Sequence, residues 1–466
     1  MKVDYKMIAF AGLVLAAVSS SVFSAEMILT LPQAEAKALQ NSFTSRKQHC
    51  EISAMEWQRR NAVSSYLPSV NYNLNYLRLD RATVERANAA SEGMGMLFES
   101  LAPIIGLPPG GTEEFTQNPN QLYENSFSHE IMVSQPLFNG GAELFAIGLT
   151  NAEQQALVYQ HRADMQRVVL ETRRAYFDVI AAQLVHELSE QSLSWARENL
   201  KIASVRFQNG AVPQTDLLGW EIEVAKKESE LQMAEVGKRS LLLSLYHVMG
   251  YEGADADLRV NLQDVEFFKG LSQGNPGLTE YSIENNPTLL SVKAYTELTR
   301  KSKNLALSQF LPKVNAFFSY RWDAWEKLRP HDTYHGWSAG ASLTVPLFSG
   351  FRNSSNYQKT KYEHLKNIVS YEELRNQLQN SLQALLWNQE ALEASTNTAQ
   401  RQIGLMERQL ELMQQRYEGG LVNLSQLLEA ELGLRQVQIA YAQNLFNTLI
   451  NKAEIKLLTG NLESMQ

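Results

Sequence analysis

The sequence predicts an α+β membrane protein, internally duplicated, in which two pairs of amphipathic strands alternate with long helices. Three observations predict it. Short motifs recur in order at a fixed spacing, a strand period and a coiled-coil period occupy each half, and an export-type leader precedes both. The 466 residues are 44% hydrophobic and 20% charged, the balance of a folding chain. A net charge of −8 and a pI near 5.7 argue against nucleic acid as a partner. The single cysteine, Cys50, excludes an internal disulfide and a cysteine metal cluster. With 13 prolines and 25 glycines, most of the chain is free to run in long regular elements.

Residues 1–24 read as a signal peptide. Lys2 and Lys6 precede eleven residues from Ile8 to Val18, and Val22 and Ser24 supply small residues for cleavage after Ser24. A membrane anchor is the alternative, but a helical span needs ~20 apolar residues.

Beyond the leader the chain is written twice. Arg206-Phe207-Gln208-Asn209-Gly210 is answered by Arg416-Tyr417-Glu418-Gly419-Gly420, and Pro136-Leu137-Phe138-Asn139-Gly140 by Pro346-Leu347-Phe348-Ser349-Gly350, both at an offset of 210. Met249-Gly250 meets Thr459-Gly460 at the same offset. Leu67-Pro68-Ser69-Val70-Asn71 meets Leu311-Pro312-Lys313-Val314-Asn315 at 244, so the first half carries 34 extra residues between its two strand marks. The predicted organisation is a first repeat over 25–250, a linker over 251–278, a second repeat over 279–460 and a tail over 461–466.

Within each repeat the strands come as a pair. Val70, Tyr72, Leu74 and Tyr76 alternate with asparagines; Val314, Ala316, Phe318, Tyr320 and Trp322 form one face of the second-half counterpart. Ile131 and Val133 mark a weaker strand, and Trp337 to Val345 alternates clearly. The predicted strands are 69–80, 128–138, 313–323 and 337–347. A half-buried sheet in a soluble domain has this pattern too. The leader and the strand aromatics, which suit barrel rims, favour a membrane barrel.

Helices are predicted over about 31–65, 142–208, 214–249, 279–310, 352–416 and 423–459. Ile403, Met406, Leu410, Met413 and Tyr417 form a coiled-coil seam, matched in register by Leu193, Ala196, Leu200, Ala203 and Phe207. The helices over 142–208 and 352–416, both without proline, are each about twice as long as the others, which suits a bundle of long helices beside stacked short ones. Gly210 and Gly420 suit the left-handed residue ending a helix, and Pro213 the start of the next.

Four antiparallel strands leave two open edges, which a bilayer does not tolerate. Two or three chains must therefore share one barrel. Helices attach at one end of every strand, so all lie on one side of the membrane, while 81–127 and 325–336 connect the strands on the other.

These residues resemble the TolC-type outer-membrane factors. The L-P-x-V-N and P-L-F-x-G marks, Ala175-Tyr176-Phe177 and the paired R-[FY]-x-x-G turns carry the resemblance, from about Leu29 to Gly460. It implies a homotrimer with a 12-stranded barrel, four strands per chain, continuous with a periplasmic α-helical barrel, and an equatorial segment at 251–278. It also implies no catalysis and no cofactor. The implied partners are a periplasmic adaptor (membrane fusion protein), an inner-membrane transporter of RND or ABC type, and outer-membrane lipid. The duct would serve efflux or type I secretion. The barrel-to-helix junctions fall at Pro68, Pro136, Gly140, Pro312, Pro346 and Gly350.

The family closes its periplasmic end at the two turns. By resemblance the gate acid is Asp216 and its tyrosine Tyr417; the partnering arginine falls on Val422, and two inner ring acids fall on Gln426 and Glu429. Such a gate rests on hydrogen bonding between Asp216 and Tyr417 and on packing, and three copies of Glu429 would attract cations. A solvated helix face is the alternative for Glu429. Adaptor docking is expected at Asn209, Gly210, Ala211, Val212, Gly419, Gly420, Leu421 and Val422, whose apolar members are unusual for turns.

The insertion carries Met94-Gly95-Met96-Leu97-Phe98 and Leu101-Ala102-Pro103-Ile104-Ile105, apolar enough that packing is expected. A lid or an outside binding surface are the alternatives. His331 and His335 near Asp332 fall short of a metal site, which needs three or four ligands. No nucleotide loop or metalloprotease motif is present. The alternatives to an export duct are a periplasmic coiled-coil scaffold with soluble sheets and a stand-alone pore.

Overall fold

The computed structural model describes residues 28–101, 103–104, 106, 122–251, 259–260, 281–325 and 335–462. The leader, most of the 251–278 linker, and His331 with Asp332 lie outside them. The chain divides into two compact units. One comprises residues up to Ile52, Ala156–Lys293 and Ser370–Gln466; the other comprises Ser53–Gln155 and Ala294–Val369.

The elements in chain order are β1 (Ile28–Leu29), α1 (Leu31–Asn41), α2 (Phe43–Ser64), β2 (Ser69–Arg78), α3 (Arg81–Leu101), β3 (Asn125–Asn139), α4 (Ala142–Gln208) and α5 (Gln214–Val248). They continue with β4 (Arg259–Val260), α6 (Pro287–Ser308), β5 (Lys313–Trp325), β6 (His335–Thr344), α7 (Arg352–Glu418) and α8 (Leu424–Leu458). The α+β architecture with four main strands is as the sequence predicts. α4 and α7 have 67 residues each, and α5 and α8 have 35 each. The helix expected over 31–65 is two: Ser42 closes α1 with an extended ψ of 146°. α6 begins at Pro287 rather than 279; proline suits a helix's first turn, where its missing N–H costs nothing.

The second unit holds an antiparallel sheet of order β2-β3-β5-β6. Alternation sorts its faces. Leu74, His129, Trp322 and His335 lie in one row of cross-strand partners, and Tyr72, Ile131, Tyr320 and Trp337 in the next. This apolar face is knitted by ring contacts: His129 stacks on Trp322 at 5.2 Å, and Tyr76 on Phe127 at 4.8 Å. The Tyr72 hydroxyl and His129 Nδ1 are 2.7 Å apart. On the opposite face Ser319 donates to Glu130 at 2.7 Å and Asn315 to Ser134 at 3.0 Å. No described helix is long and apolar enough to cross a membrane.

The junction prolines and glycines close the strands. Pro136 sits at a register shift in the β3–β5 ladder, where its missing donor is tolerated. Gly140 has φ +63°, and a Cβ there would meet the Ser308 carbonyl oxygen at 2.4 Å. Pro68 and Pro312 precede β2 and β5; Pro346 and Gly350 follow β6. Phe351, φ +64°, stands where the first half has Gly141, a conformation that costs a non-glycine residue about 1–2 kcal/mol.

The described start of the insertion, α3, is a helix where the sequence suggested a loop. Asp80 caps α3, accepting from the Thr83 amide at 2.9 Å and its hydroxyl at 2.5 Å. Asn88 clasps the Leu122 backbone with two 2.9 Å bonds. Val84 is buried, but Met94, Met96, Leu97, Leu101 and Ile104 are exposed among the described residues, contrary to the packing expected of them.

Among the described residues, the regular structure of the first unit is helical apart from the parallel pair β1–β4. Tyr176 and Phe177 of α4 sit in its main core with Leu29, Leu31, Leu245, Met249 and Phe446. The Tyr176 hydroxyl donates to the Leu29 carbonyl at 2.9 Å, and Phe177 stacks on Phe446 at 5.2 Å. Glu35 and Arg173 form a buried pair at 2.5 Å. Four helix ends share one cap, at Gly210, Gly250, Gly420 and Gly460, with φ between +71° and +77°. In each, the residue after the glycine donates back five positions, as Ala211 does to Arg206 at 2.8 Å and Asn461 to Lys456 at 2.8 Å. Gly250 and Gly460 are crowded as well: an added Cβ would lie 2.1 Å from the Asn41 oxygen and 2.2 Å from the Asn285 oxygen. Asn41 and Asn285 are themselves 244 residues apart, the offset of the repeat upstream of the insertion.

Candidate functional site at the paired helical turns

α4 turns into α5, and α7 into α8, through glycine-capped turns at Asn209–Val212 and Gly419–Val422. The Arg206 guanidinium donates to the Glu418 carbonyl at 2.8 Å, tying one turn to the other. α8 starts with a capping box: Asn423 accepts from the Gln426 amide at 3.0 Å, and the Gln426 side chain accepts from the Asn423 amide at 3.2 Å. Gln426, expected at an inner ring, thus spends its side-chain oxygen on the cap. Leu421 is 78% exposed, Ala211 is exposed, and Val212 and Val422 are half-buried.

Asp216 stands in the first turn of α5, where the helix dipole favours a carboxylate. The expected hydrogen bond between Asp216 and Tyr417 is not formed. The Tyr417 hydroxyl instead accepts from the indole N–H of Trp220 at 3.0 Å. Trp220 is fully buried, edge-on to Trp195 at 5.4 Å and to Tyr417 at 6.2 Å. Around it pack Ala196, Ala203, Leu410 and Met413, inner positions of the predicted seams, together with Leu427 of α8; Phe207, the last first-half seam position, is 38% exposed. Burial pushes the Tyr417 phenol up; the Trp220 bond and Arg206 pull it down, while the Asp216 charge adds to the rise. Trp220 was absent from the sequence reading. One signal was there: it lies four residues after Asp216, on the same face of the helix that follows Pro213.

Farther from the turns, α4, α5 and α8 enclose a charged cluster. Glu431 is 3% exposed, and its carboxylate receives the Ser192 hydroxyl at 2.6 Å, Arg435 at 2.7 Å and Lys227 at 3.5 Å. Lys227, equally buried, also meets Glu230 at 3.2 Å and Glu223 at 3.5 Å. Burial alone would raise the Glu431 carboxyl, but the Ser192 and Arg435 bonds and the Lys227 charge hold it below the usual range. Burial likewise opposes the Lys227 charge, and the surrounding carboxylates outweigh it, raising its pKa. The cluster borders a groove of about 890 Å³ that Asp178, Leu188, Leu241 and Ile439 also line. Glu429, which the resemblance places at a ring position, is exposed two residues away. Among the described residues no group of His, Cys, Asp and Glu could hold a metal ion.

The family model for outer membrane efflux proteins matches residues 36–251 and 278–461, both halves of the duplication. The chain belongs to the outer membrane efflux protein family. Among curated members of this family, outer membrane protein TolC of Salmonella enteritidis is 22% identical over 395 residues, covering 82% of this chain and 79% of its own. Among solved structures, the CusC transmembrane channel aligns with a TM-score of 0.73 at 14% identity, covering 92% and 91% of the two chains. The CmeC outer membrane channel of Campylobacter jejuni gives 0.72 at 16% identity, covering 94% and 87%. At such identities these structures share the fold.

Proposed function

We propose that this protein is the outer-membrane exit duct of a tripartite efflux or type I secretion system. Three chains complete a 12-stranded barrel and receive cargo from a periplasmic adaptor and an inner-membrane RND or ABC-type pump. Family membership supports the outer-membrane setting. The observation that carries the duct is the sheet itself: β2 and β6 form its open edges, exposed along their whole length, with an aromatic face and a polar face. Such a sheet is viable in lipid only when closed with further strands.

The paired turns are the proposed gate and the adaptor's docking site. Closure rests on Trp220 bonded to Tyr417, with Arg206 holding the second turn and Asp216 and Glu429 supplying charge near the opening. Trp220→Phe keeps a ring but removes the donor. A hydrogen bond contributes about 1 kcal/mol, so the ratio of open to closed channels is expected to rise about fivefold. Single-channel recording in planar bilayers measures it. An unchanged open fraction would remove the gate from this position, and no conductance from any variant would remove the duct.

A further inference from the structure

We infer that the α3 helices of neighbouring chains meet along an apolar seam, forming a three-stranded coiled coil that lies across the outward mouth of the pore. This rests on the reading that three chains share a barrel, and it assigns a function to the insertion. Ala87, Ala90, Met94, Leu97, Leu101 and Ile104 follow one another at steps of 3, 4, 3, 4 and 3. That is the heptad spacing of a coiled-coil core, with Ala87, Met94 and Leu101 at position a and Ala90, Leu97 and Ile104 at position d. Leucine at a with isoleucine at d, as at Leu101 and Ile104, favours three or four strands over two.

The remaining positions of α3 agree with that register. Glu85, Glu92 and Glu99 are seven residues apart and take position f, on the side away from the seam. Ser91, Gly93, Phe98 and Ser100, which flank the seam between Ala90 and Leu101, carry no charge, so a neighbouring copy meets no like charge there. Met94, Leu97, Leu101 and Ile104 are 44% to 78% exposed. Ile104 extends the turn beyond α3, its amide donating to the Leu101 carbonyl at 3.0 Å.

Other covers for this stripe fit less well. Asp80, Val84 and Asn88 fix the first half of α3 to its own chain. The residues that follow, 107–121, include only Leu107 and Phe115 as large apolar types, two against the four exposed on the stripe. A helix that lies on a membrane surface carries Lys and Arg on its polar face. Beyond Arg86 the only charged residues of α3 are Glu92 and Glu99.

Symmetry sets where such a seam lies. Three equivalent helices in mutual contact surround the axis that relates them, and in a shared barrel that axis runs down the pore. α3 joins the ends of β2 and β3 that face away from α2 and α4, so the seam forms at the outward end. The helix is long enough to reach the axis. Twelve strands about 4.8 Å apart, tilted about 40°, close with a backbone radius of about 12 Å. Met94 is 14 residues beyond Asp80, ~21 Å of helix at about 1.5 Å per residue. Two heptads are short for a free coiled coil, but anchoring each helix at the rim of one barrel holds the three at high effective concentration.

Single cysteines test the seam in full-length protein with Cys50→Ser, reconstituted in phospholipid vesicles. Leu97→Cys, at a core position, is expected to give covalent dimer on mild oxidation, one bond among three chains. Glu99→Cys, at the outer position, is expected to give none. Adding Met94→Asp to Leu97→Cys sets three carboxylates in the seam and is expected to abolish the crosslink. Native mass of each variant reports whether the trimer is intact. Intact trimer without a crosslink at Leu97→Cys would overturn the seam and leave the shared barrel standing. So would equal crosslinking at Leu97→Cys and Glu99→Cys, or a crosslink that survives Met94→Asp. Monomer throughout would overturn the shared barrel as well. The position across the mouth has its own readout. In intact cells a bulky, membrane-impermeant maleimide is expected to label Asn73→Cys, on the polar face of β2, several-fold faster when Met94→Asp is also present. An equal rate would overturn that position.

Discussion

Alanine at Gly250 is expected to destabilise the protein far more than alanine at Gly210, although both residues cap a helix with nearly the same backbone. Gly210 has φ +71° and nothing within 4 Å of an added Cβ, so the substitution meets only the strain of the left-handed conformation, about 1–2 kcal/mol. Gly250 has φ +77°, and its added Cβ would lie 2.1 Å from the Asn41 oxygen and 2.6 Å from its carbon. Both atoms are backbone, so α1 itself must move. Overpacking of this kind adds about 1–3 kcal/mol. The second half repeats the experiment: Gly420→Ala should behave like Gly210→Ala, and Gly460→Ala, 2.2 Å from the Asn285 oxygen, like Gly250→Ala. Thermal unfolding in detergent, followed by helical circular dichroism, measures all four. Equal losses at crowded and open positions would show that these close approaches do not constrain the native packing.

Glu431→Leu is the second large effect expected. The substitution leaves Lys227 and Arg435 without the carboxylate they share in the helical core. Breaking a buried ion pair from one side costs about 3–5 kcal/mol, because the remaining charge stays desolvated. The double variant, Lys227→Met with Glu431→Leu, is expected to recover part of that loss, since no lone charge is left of the pair. pH gives an independent readout. Glu431 is held below its ordinary range when folded, so its contribution is present above about pH 4.3 and fades as pH falls through the folded value. Lys227 is raised, so its contribution is full below about pH 10.4 and fades as pH climbs through the folded value. The acid-side loss should be smaller in Glu431→Leu than in the parent. A parent and variant with parallel acid profiles would argue against the cluster as a stabilising unit.

The helical turns were legible because their chemistry is local. Gly210 and Gly420 announce a left-handed residue, and each is found in one. Seam positions such as Ala196, Leu410 and Met413 pack as their spacing requires. Tyr417 stands out from the repeated turn motif, but its hydrogen-bond partner is not the Asp216 that the resemblance implies. The hydrogen bond comes from Trp220, 197 residues away, and no spacing within one helix connects them. Glu429 and Glu431 show the same limit. Both are acids on one helix, two residues apart, yet one is exposed and the other buried. Which one is buried depends on where Ser192 and Lys227 arrive from other helices.

The sequence by itself determined the duplication, the alternating strand faces, the helix periods and the capped turns, because each follows from residues a few positions apart. Tertiary structure alone decided which capping glycines are crowded and which acid is buried. It also decided that the α3 insertion is helical with an exposed apolar end. The length of β6 belongs there too: Val345–Ser349 carries the same motif as the end of β3, but extended backbone becomes a paired strand only when a neighbour offers its hydrogen-bonding edge.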